Sequence, residues 1–387
     1  MKFLEKIFSI RNTYDNGIKR KVITIMGVKI KMRTRPSCPG MPVTQCSEEQ
    51  CPGEPHRVPF GEYKHLCCEI LYSHLTFEED HLRPHCWRNS GDFLPKYPYH
   101  GESLSQDKIL DYLNHIGTTL KKEPEKCEGC RRAYYDKKPQ EISLRNFKLE
   151  VIMINPHRFW CNCKCSYCFW LGGKVREGIP QPYSVMKPIE FLLNTGMVNK
   201  KCAFSWGGGE STILPEFEHL ARLICDKGHP QILNTNGAVF SEAWAYVLSK
   251  DERTYFNISV DSGTAETYRK IKGIDSFDQV WENIKKYLAS AKHKGSFRVK
   301  YIVMACNREH SELEKFIAKC LEAGIQSIEF SVDGGEIQAG LSKETIEAVA
   351  YLRALVLKNN LGCENAVSFW DPTVAKMLEN QPLPEIC

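Results

Sequence analysis

Residues 155–169 read NPHRFWCNCKCSYCF, with cysteines at 161, 163, 165 and 168. The stretch follows LEVIMI at 149–154, an apolar run short enough for a buried strand. A loop leaving that strand can wrap a metal centre with thiolates spaced by four and by three residues. Thiolates are soft ligands, which suit iron–sulfur clusters. A four-iron cube held by three protein ligands leaves one iron open for a substrate. The competing reading is a structural zinc site using all four cysteines. Zinc sites prefer paired C-x2-C hooks, and the crowded C-x-C-x-C-x-x-C offers only one.

Outward from this loop, strand-like and helical patterns alternate. Strands read at 149–154, 202–206, 231–234, 255–260, 299–304 and 327–332. Helices read at 186–193, 216–225, 242–248, 265–271, 279–289, 311–323 and 343–358. Such alternation implies parallel βαβ units. Six units fall short of a closed eight-stranded barrel. The expected fold is α/β, a partial (β/α)6 TIM-like barrel preceded by a smaller cysteine-rich N-terminal region. The division expected is 1–35, a basic helix and hairpin; 36–146, a cysteine-rich metal-binding region; 147–335, the core domain; and 336–387, a helical extension.

The pattern C-x3-C-x2-C, with Tyr167 before its last cysteine, resembles the radical SAM superfamily over roughly 147–335. The resemblance implies a [4Fe–4S] cluster on Cys161, Cys165 and Cys168, with Cys163 a bystander at a usually apolar position. It implies S-adenosylmethionine (SAM) as the second cofactor, cleaved reductively to a 5′-deoxyadenosyl radical that abstracts hydrogen from a substrate. Four further segments fit. Trp206-Gly207-Gly208-Gly209-Glu210 ends the second strand; glycines let a ligand approach the backbone, and Glu210 suits the SAM ammonium. A phosphate loop is the alternative, but no Gly-Lys-Ser/Thr follows. Asn257-Ile258-Ser259-Val260-Asp261-Ser262-Gly263 ends the fourth strand, with Ser259 and Asp261 on one face as candidates for the SAM ribose. Either could instead cap the next helix. Arg269, on that helix, is a candidate for the SAM carboxylate or an ordinary solvated charge. Asn234-Thr235-Asn236-Gly237 resembles the family's Thr-Asn-Gly turn, with Asn236 the candidate contact, although a turn alone also needs Asn and Gly. Asn307 closes the fifth strand as a weaker candidate.

Cys67, Cys68, Cys86, Cys127 and Cys130 form a second constellation. The runs CCEILYSHLTFEEDHLRPHCW and KCEGC resemble a SPASM/Twitch auxiliary-cluster region, which in that family normally follows the barrel. His85 stands where a glycine is expected. Cys68, Cys86, Cys127 and Cys130 would close a second [4Fe–4S] site; zinc or free thiols are the alternatives.

The chain has 387 residues and 18 cysteines, with a net charge of +5. No basic run with interleaved aromatics argues for nucleic acid. Met1-Lys2-Phe3 is followed by Glu5, Lys6 and Arg11, so no signal-peptide core is expected, nor any membrane span. The expectation is a cytoplasmic protein whose cysteines serve as thiolates for metal. Residues 1–35 carry ten Lys and Arg against two acids. Phe3, Leu4, Ile7 and Phe8 have helical spacing; Val28, Ile30 and Met32 alternate with Lys29, Lys31 and Arg33 as a strand, with Val22 to Ile25 its hairpin partner. This opening resembles those of proteins from bacterial surface-polysaccharide loci. It implies a saccharide or other small-molecule substrate, with contact to a membrane surface through the basic N-terminus. The family implies an electron donor such as flavodoxin or ferredoxin. Two other classes compete: a zinc-stabilised binding scaffold without catalysis, and a radical SAM enzyme that modifies a peptide.

Overall fold

The computed structural model describes residues 8–15, 18–25, 28–33, 65–68, 70–84, 96–122, 133–136, 140–168, 182–369 and 371–386. The chain divides into two compact units, 1–67 with 127–139 and 68–126 with 140–387. In the first, β1 (Phe8–Asp15), β2 (Ile18–Ile25) and β3 (Val28–Arg33) form an antiparallel meander. Ile25 lies opposite Val28, the hairpin that the alternation at 28–33 predicts. The helical spacing at Phe3, Leu4 and Ile7 lies outside the described residues, and Phe8 opens β1. A fourth strand, β4, is His65–Cys68.

The second unit is built on one ten-stranded sheet. At one margin are β5 (His74–Phe77), β6 (His81–Arg83) and β7 (Tyr97–Pro98), then α1 (Gln106–Lys122). Next in the chain is β8 (Ala133–Asp136), which belongs to the first unit and pairs with β4. Then strands and helices alternate: β9 (Leu149–Ile154), α2 (Met186–Asn194), β10 (Val198–Trp206), α3 (Phe217–Asp226), β11 (Gln231–Thr235), α4 (Glu242–Lys250) and β12 (Tyr255–Ser259). The series continues with α5 (Ala265–Lys272), α6 (Phe277–Ser290), β13 (Phe297–Val303), α7 (His310–Ala323) and β14 (Ser327–Val332). It ends with α8 (Gly334–Ala339), α9 (Lys343–Lys358), β15 (Gly362–Asn365) and α10 (Pro372–Glu379).

All six expected strands are present, side by side in chain order and parallel. Two more extend the parallel sheet. Strand β5 pairs with β9, and β15 pairs with β14. Every residue of β5 is buried, His74 and Thr76 included, because strands lie on both sides of it. Its partner lies some seventy positions later, so no local pattern could place it there. Strands β6 and β7 finish that margin antiparallel.

Period-two alternation assigns the two faces of the sheet. One face carries large apolar side chains under the helices. Trp206 packs edge-on to Phe217 of α3 at 4.8 Å, Phe256 to Tyr287 of α6 at 4.9 Å, and Tyr301 meets Phe316 of α7 at 4.6 Å. The opposite face is polar. Asn257 pairs in register with Arg298, and Ser259 with Lys300, which in turn lies beside Glu329. Lys300 Nζ is 3.2 Å from Glu329 Oε1, and the Tyr255 hydroxyl donates to Glu329 Oε2 at 3.0 Å. Asn234 lies on this face and stays exposed although its strand is central. The connections after β9, β10, β11, β12 and β13 all leave the same edge of the sheet, the edge at which open α/β sheets hold their ligands.

Candidate cluster and cofactor site at the strand ends

The loop after β9, residues 155–168, holds the four crowded cysteines. Cys161, Cys165 and Cys168 are half-buried; Cys163 is buried completely. The backbone N–H of Cys163 donates to Cys161 Sγ at 3.4 Å, and that of Cys168 donates to the Cys165 carbonyl at 3.2 Å. Contact with the Cys161 and Cys165 thiols, together with burial, pushes the Cys163 thiol far up, so it stays protonated. None of the described cysteines is in a disulfide. The fit to an iron–sulfur cluster lies in the donor set: soft thiols on one loop, three of them partly open to solvent. Among the described residues no three His, Cys, Asp or Glu side chains are already gathered as a metal-binding group.

The turn after β10 meets the first half of this loop. Gly209 N–H donates to the Arg158 carbonyl at 2.8 Å, and Glu210 N–H to the Trp160 carbonyl at 2.7 Å. A Cβ on Gly209 would stand 2.0 Å from the Trp160 oxygen and 2.2 Å from the His157 oxygen. Gly208 has φ +75°, and a Cβ there would stand 2.8 Å from Arg158 Cα. What approaches these glycines is therefore the cysteine loop itself. His157 is buried, and its Nε2 shares a 2.8 Å hydrogen bond with the Ser211 hydroxyl. Burial holds the His157 pKa down to about 3, so the ring is neutral.

Glu210 is 1% exposed and faces inward. Its Oε1 accepts from the hydroxyls of Thr212 at 2.7 Å and Thr235 at 2.6 Å; its Oε2 accepts from Asn236 N–H at 2.7 Å. Burial raises its pKa, and these donors pull the other way. Asn236 then reaches the cysteine loop: its amide donates to Asn162 Oδ1 at 2.7 Å and lies 3.8 Å from Cys161 Sγ.

The end of β12 meets the second half of the loop. Asp261 is fully buried and has φ +61°, rare for a residue with a Cβ. Its Oδ2 accepts from the Tyr167 hydroxyl at 2.6 Å and pairs with the Lys272 ammonium. Its Oδ1 accepts from Ile302 N–H at 2.7 Å. Lys272 Nζ also donates to the Tyr167 hydroxyl at 2.7 Å. Burial opposes the Lys272 charge, but Asp261, Tyr167 and Cys165 together more than offset it and hold the ammonium well above its ordinary pKa. Asn307 donates to the Asp261 carbonyl at 2.8 Å, and its Oδ1 accepts from Met304 N–H.

Ser259, Asp261, Glu210, Asn236, Gly208 and Gly209 thus gather at one edge of the sheet with the cysteine loop. Arg269 points elsewhere, in an exposed ion pair with Asp275 at 2.8 Å. Cys68 is buried, and its backbone exchanges two 2.9 Å hydrogen bonds with the Gln140 side chain. Cys86, Cys127 and Cys130 lie outside the described residues. Lys272 and His157 belong to no motif that the sequence singles out. For Lys272 a signal existed: it shares the buried face of α5 with Tyr268 and Ile271.

Comparison with known proteins agrees with the motif. Residues 155–299 match the family model "Radical SAM superfamily". A "Probable GTP 3',8-cyclase" of Saccharolobus islandicus is 28% identical over 169 residues, 43% of this chain and 52% of that protein. A "Cysteine-type anaerobic sulfatase-maturating enzyme" of Clostridium perfringens is 27% identical over 176 residues, 41% of this chain and 45% of that enzyme. The chain spans about half the length of these relatives. Among solved structures, Streptococcus suis SuiB bound to S-adenosylmethionine superposes with a TM-score of 0.43 at 13% identity, over 70% of this chain and 60% of that one. Residues 155–299 thus form a domain that matches the radical SAM superfamily, a family that uses a [4Fe–4S] cluster and SAM.

Proposed function

We propose that the chain cleaves SAM reductively at a [4Fe–4S] cluster held by Cys161, Cys165 and Cys168 and abstracts hydrogen from a polar substrate. The carrying observation is the set of three half-buried thiols on a loop tied to both the Glu210 turn and the end of β12. When bound, the two cofactors together supply a 5′-deoxyadenosyl radical. The chain's own residues bind and orient. Glycines 208 and 209 admit the loop against the sheet. The Asn236 side chain braces Cys161 and Asn162. Ser259, at the end of its strand on the polar face, is the side chain proposed for the SAM ribose.

Anaerobic purification with iron, sulfide and zinc counts tests the assignment, with electron paramagnetic resonance recorded with and without SAM. About four irons per chain are expected at this site. A second site on Cys68, Cys86, Cys127 and Cys130 would raise the count to about eight, or add one zinc. Replacing Cys161, Cys165 and Cys168 by alanine abolishes the SAM-responsive signal; its survival would overturn the assignment. Zinc without iron would favour the non-catalytic scaffold.

The substrate proposed is a saccharide of the cell envelope, bound in a reducing compartment with flavodoxin or ferredoxin as electron donor. The polar sheet face supports it: Asn234, Asn257, Ser259 and the Lys300–Glu329 pair offer donors and acceptors suited to hydroxyls. The basic opening of the chain is the second support, and contact of that segment with an anionic membrane belongs to the same reading. SAM cleavage assayed with nucleotide sugars checks it, and absence of substrate-dependent turnover counts against it. The similarity to the sulfatase-maturating enzyme keeps a polypeptide substrate as the second reading, tested by a cysteine-containing peptide in the same assay.

A further inference from the structure

The second half of the cysteine loop is anchored more heavily than its length requires. Lys164 N–H donates to the Lys272 carbonyl at 2.7 Å and Ser166 N–H to the Ile271 carbonyl at 2.9 Å. These are carbonyls of the last turn of α5, which a helix end leaves without internal partners. Gly273 follows in the left-handed conformation that ends many helices, so close to the loop that a Cβ would stand 2.8 Å from Lys164 Cβ. The Tyr167 hydroxyl is held a third way, between Asp261 and Lys272.

A buried ion pair is a poor way to add stability. Removing each charge from water costs several kcal/mol, and well-packed apolar residues in its place are often equally stable. Here both groups are buried, at 0% and 1% exposure, and every oxygen of the Asp261 side chain is occupied. What such a pair does provide is direction. The carboxylate is pinned to β13 through Ile302 and to Asn307 through its backbone, so it presents Oδ2 in one orientation only. Cys165 lies between anchored residues 164 and 166, and Cys168 follows Tyr167 directly.

We propose that Lys272 and Asp261 are positioning residues. By fixing the Tyr167 hydroxyl they set where Cys165 and Cys168 stand relative to the end of β12, and so how SAM meets the cluster. This rests on the radical SAM reading above. Asp261 is then committed to the loop, and Ser259 is left to face the SAM ribose.

The test uses the full chain, reconstituted anaerobically with iron and sulfide. Tyr167→Phe removes only the hydroxyl. Lys272→Met paired with Asp261→Asn removes both charges together, which keeps a lone buried carboxylate from unfolding the protein. Iron content, thermal midpoint, SAM affinity and the SAM-induced change in the paramagnetic spectrum are read for each. Full iron content is expected for Tyr167→Phe, with a midpoint lowered by the hydrogen bonds lost to the two buried charges, and with SAM affinity about tenfold weaker and a diminished spectral change. The double variant, if folded, behaves likewise. SAM affinity within twofold of the parent and an unchanged spectral response in Tyr167→Phe would overturn the proposal, leaving the pair purely structural. A parent protein that takes up iron but shows no response to SAM would instead overturn the radical SAM reading, and the positioning role with it.

Discussion

Residues 155–160 of the cysteine loop are held by backbone hydrogen bonds to Gly209 and Glu210, by the His157–Ser211 contact and by an ion pair between Arg158 and buried Glu78. Residues 164–168 are held by a buried ion pair and the end of a helix. Each half rests on a buried carboxylate at a strand end. Glu210 has only neutral donors, whereas Asp261 has a lysine. Burial therefore raises the Glu210 pKa, while the charge on Lys272 is secured by its partner. The Glu210 anchor can lose or gain a donor at modest cost. The Asp261–Lys272 anchor cannot lose either member without stranding the other.

The largest effect follows from that asymmetry. Lys272→Met leaves Asp261 buried without its cation and is expected to cost about 3–5 kcal/mol. Denaturant unfolding of the metal-free protein measures it. A loss below about 1 kcal/mol would mean that the two anchors are energetically alike. The pair also has an alkaline limit. Lys272 titrates above its unfolded value, so its contribution is whole below about pH 10.5 and is lost as pH rises through the folded value.

Glu210→Gln is the matching change at the other anchor. The new amide nitrogen faces N–H and O–H donors, leaving at least one unsatisfied, for about 1–3 kcal/mol. The pH trend tells the two anchors apart. A carboxyl raised by burial contributes most below its unfolded pKa, near 4.5, and loses that contribution as pH climbs through the folded value. Urea titrations should therefore show a loss of stability as pH rises above about 4.5 in the parent that is absent from Glu210→Gln.

His157 gives a smaller and oppositely signed effect. Its folded pKa of about 3 lies below the unfolded 6.5, so the unfolded chain takes the proton first as pH falls. The contribution is present above pH 6.5 and is lost on acidification, by about 1.4 kcal/mol at the first unit below it. His157→Gln should flatten stability between pH 6.5 and 5.5.

The parts of this arrangement differ in how far the sequence reveals them. The six central strands and their helices are legible because period and length agree over whole elements. Strand β5 is short, and its place beside β9 depends on a partner distant in the chain. Strand β15, Gly-Cys-Glu-Asn, has no β pattern and exists through its bonds to β14. In the site, Glu210 and Asp261 are legible by type and position. Their companions are not, because Thr235, Lys272 and Ile302 reach them from other elements. Glycines 208 and 209 are legible as close-approach positions, but only the structure shows that the approaching backbone is the cysteine loop.

The smallest expected effect sets one helix against itself. Arg269 and Lys272 are one turn apart on α5, and both pair with an aspartate. Arg269 and Asp275 are exposed at 58% and 67% of their side chains, so water screens the pair and competes for both groups. Such pairs contribute about 0–1 kcal/mol. Arg269→Ala should thus shift stability by no more than about 0.5 kcal/mol, against several for Lys272→Met. The same variant tests the role first assigned to this arginine. If its charge meets the SAM carboxylate, affinity for SAM falls about tenfold while stability stays put, since truncating a charge at a cofactor costs binding and not folding. If affinity and stability both hold, Arg269 is a solvated charge, and the only functional cation of this helix is the one turned inward toward the cysteine loop.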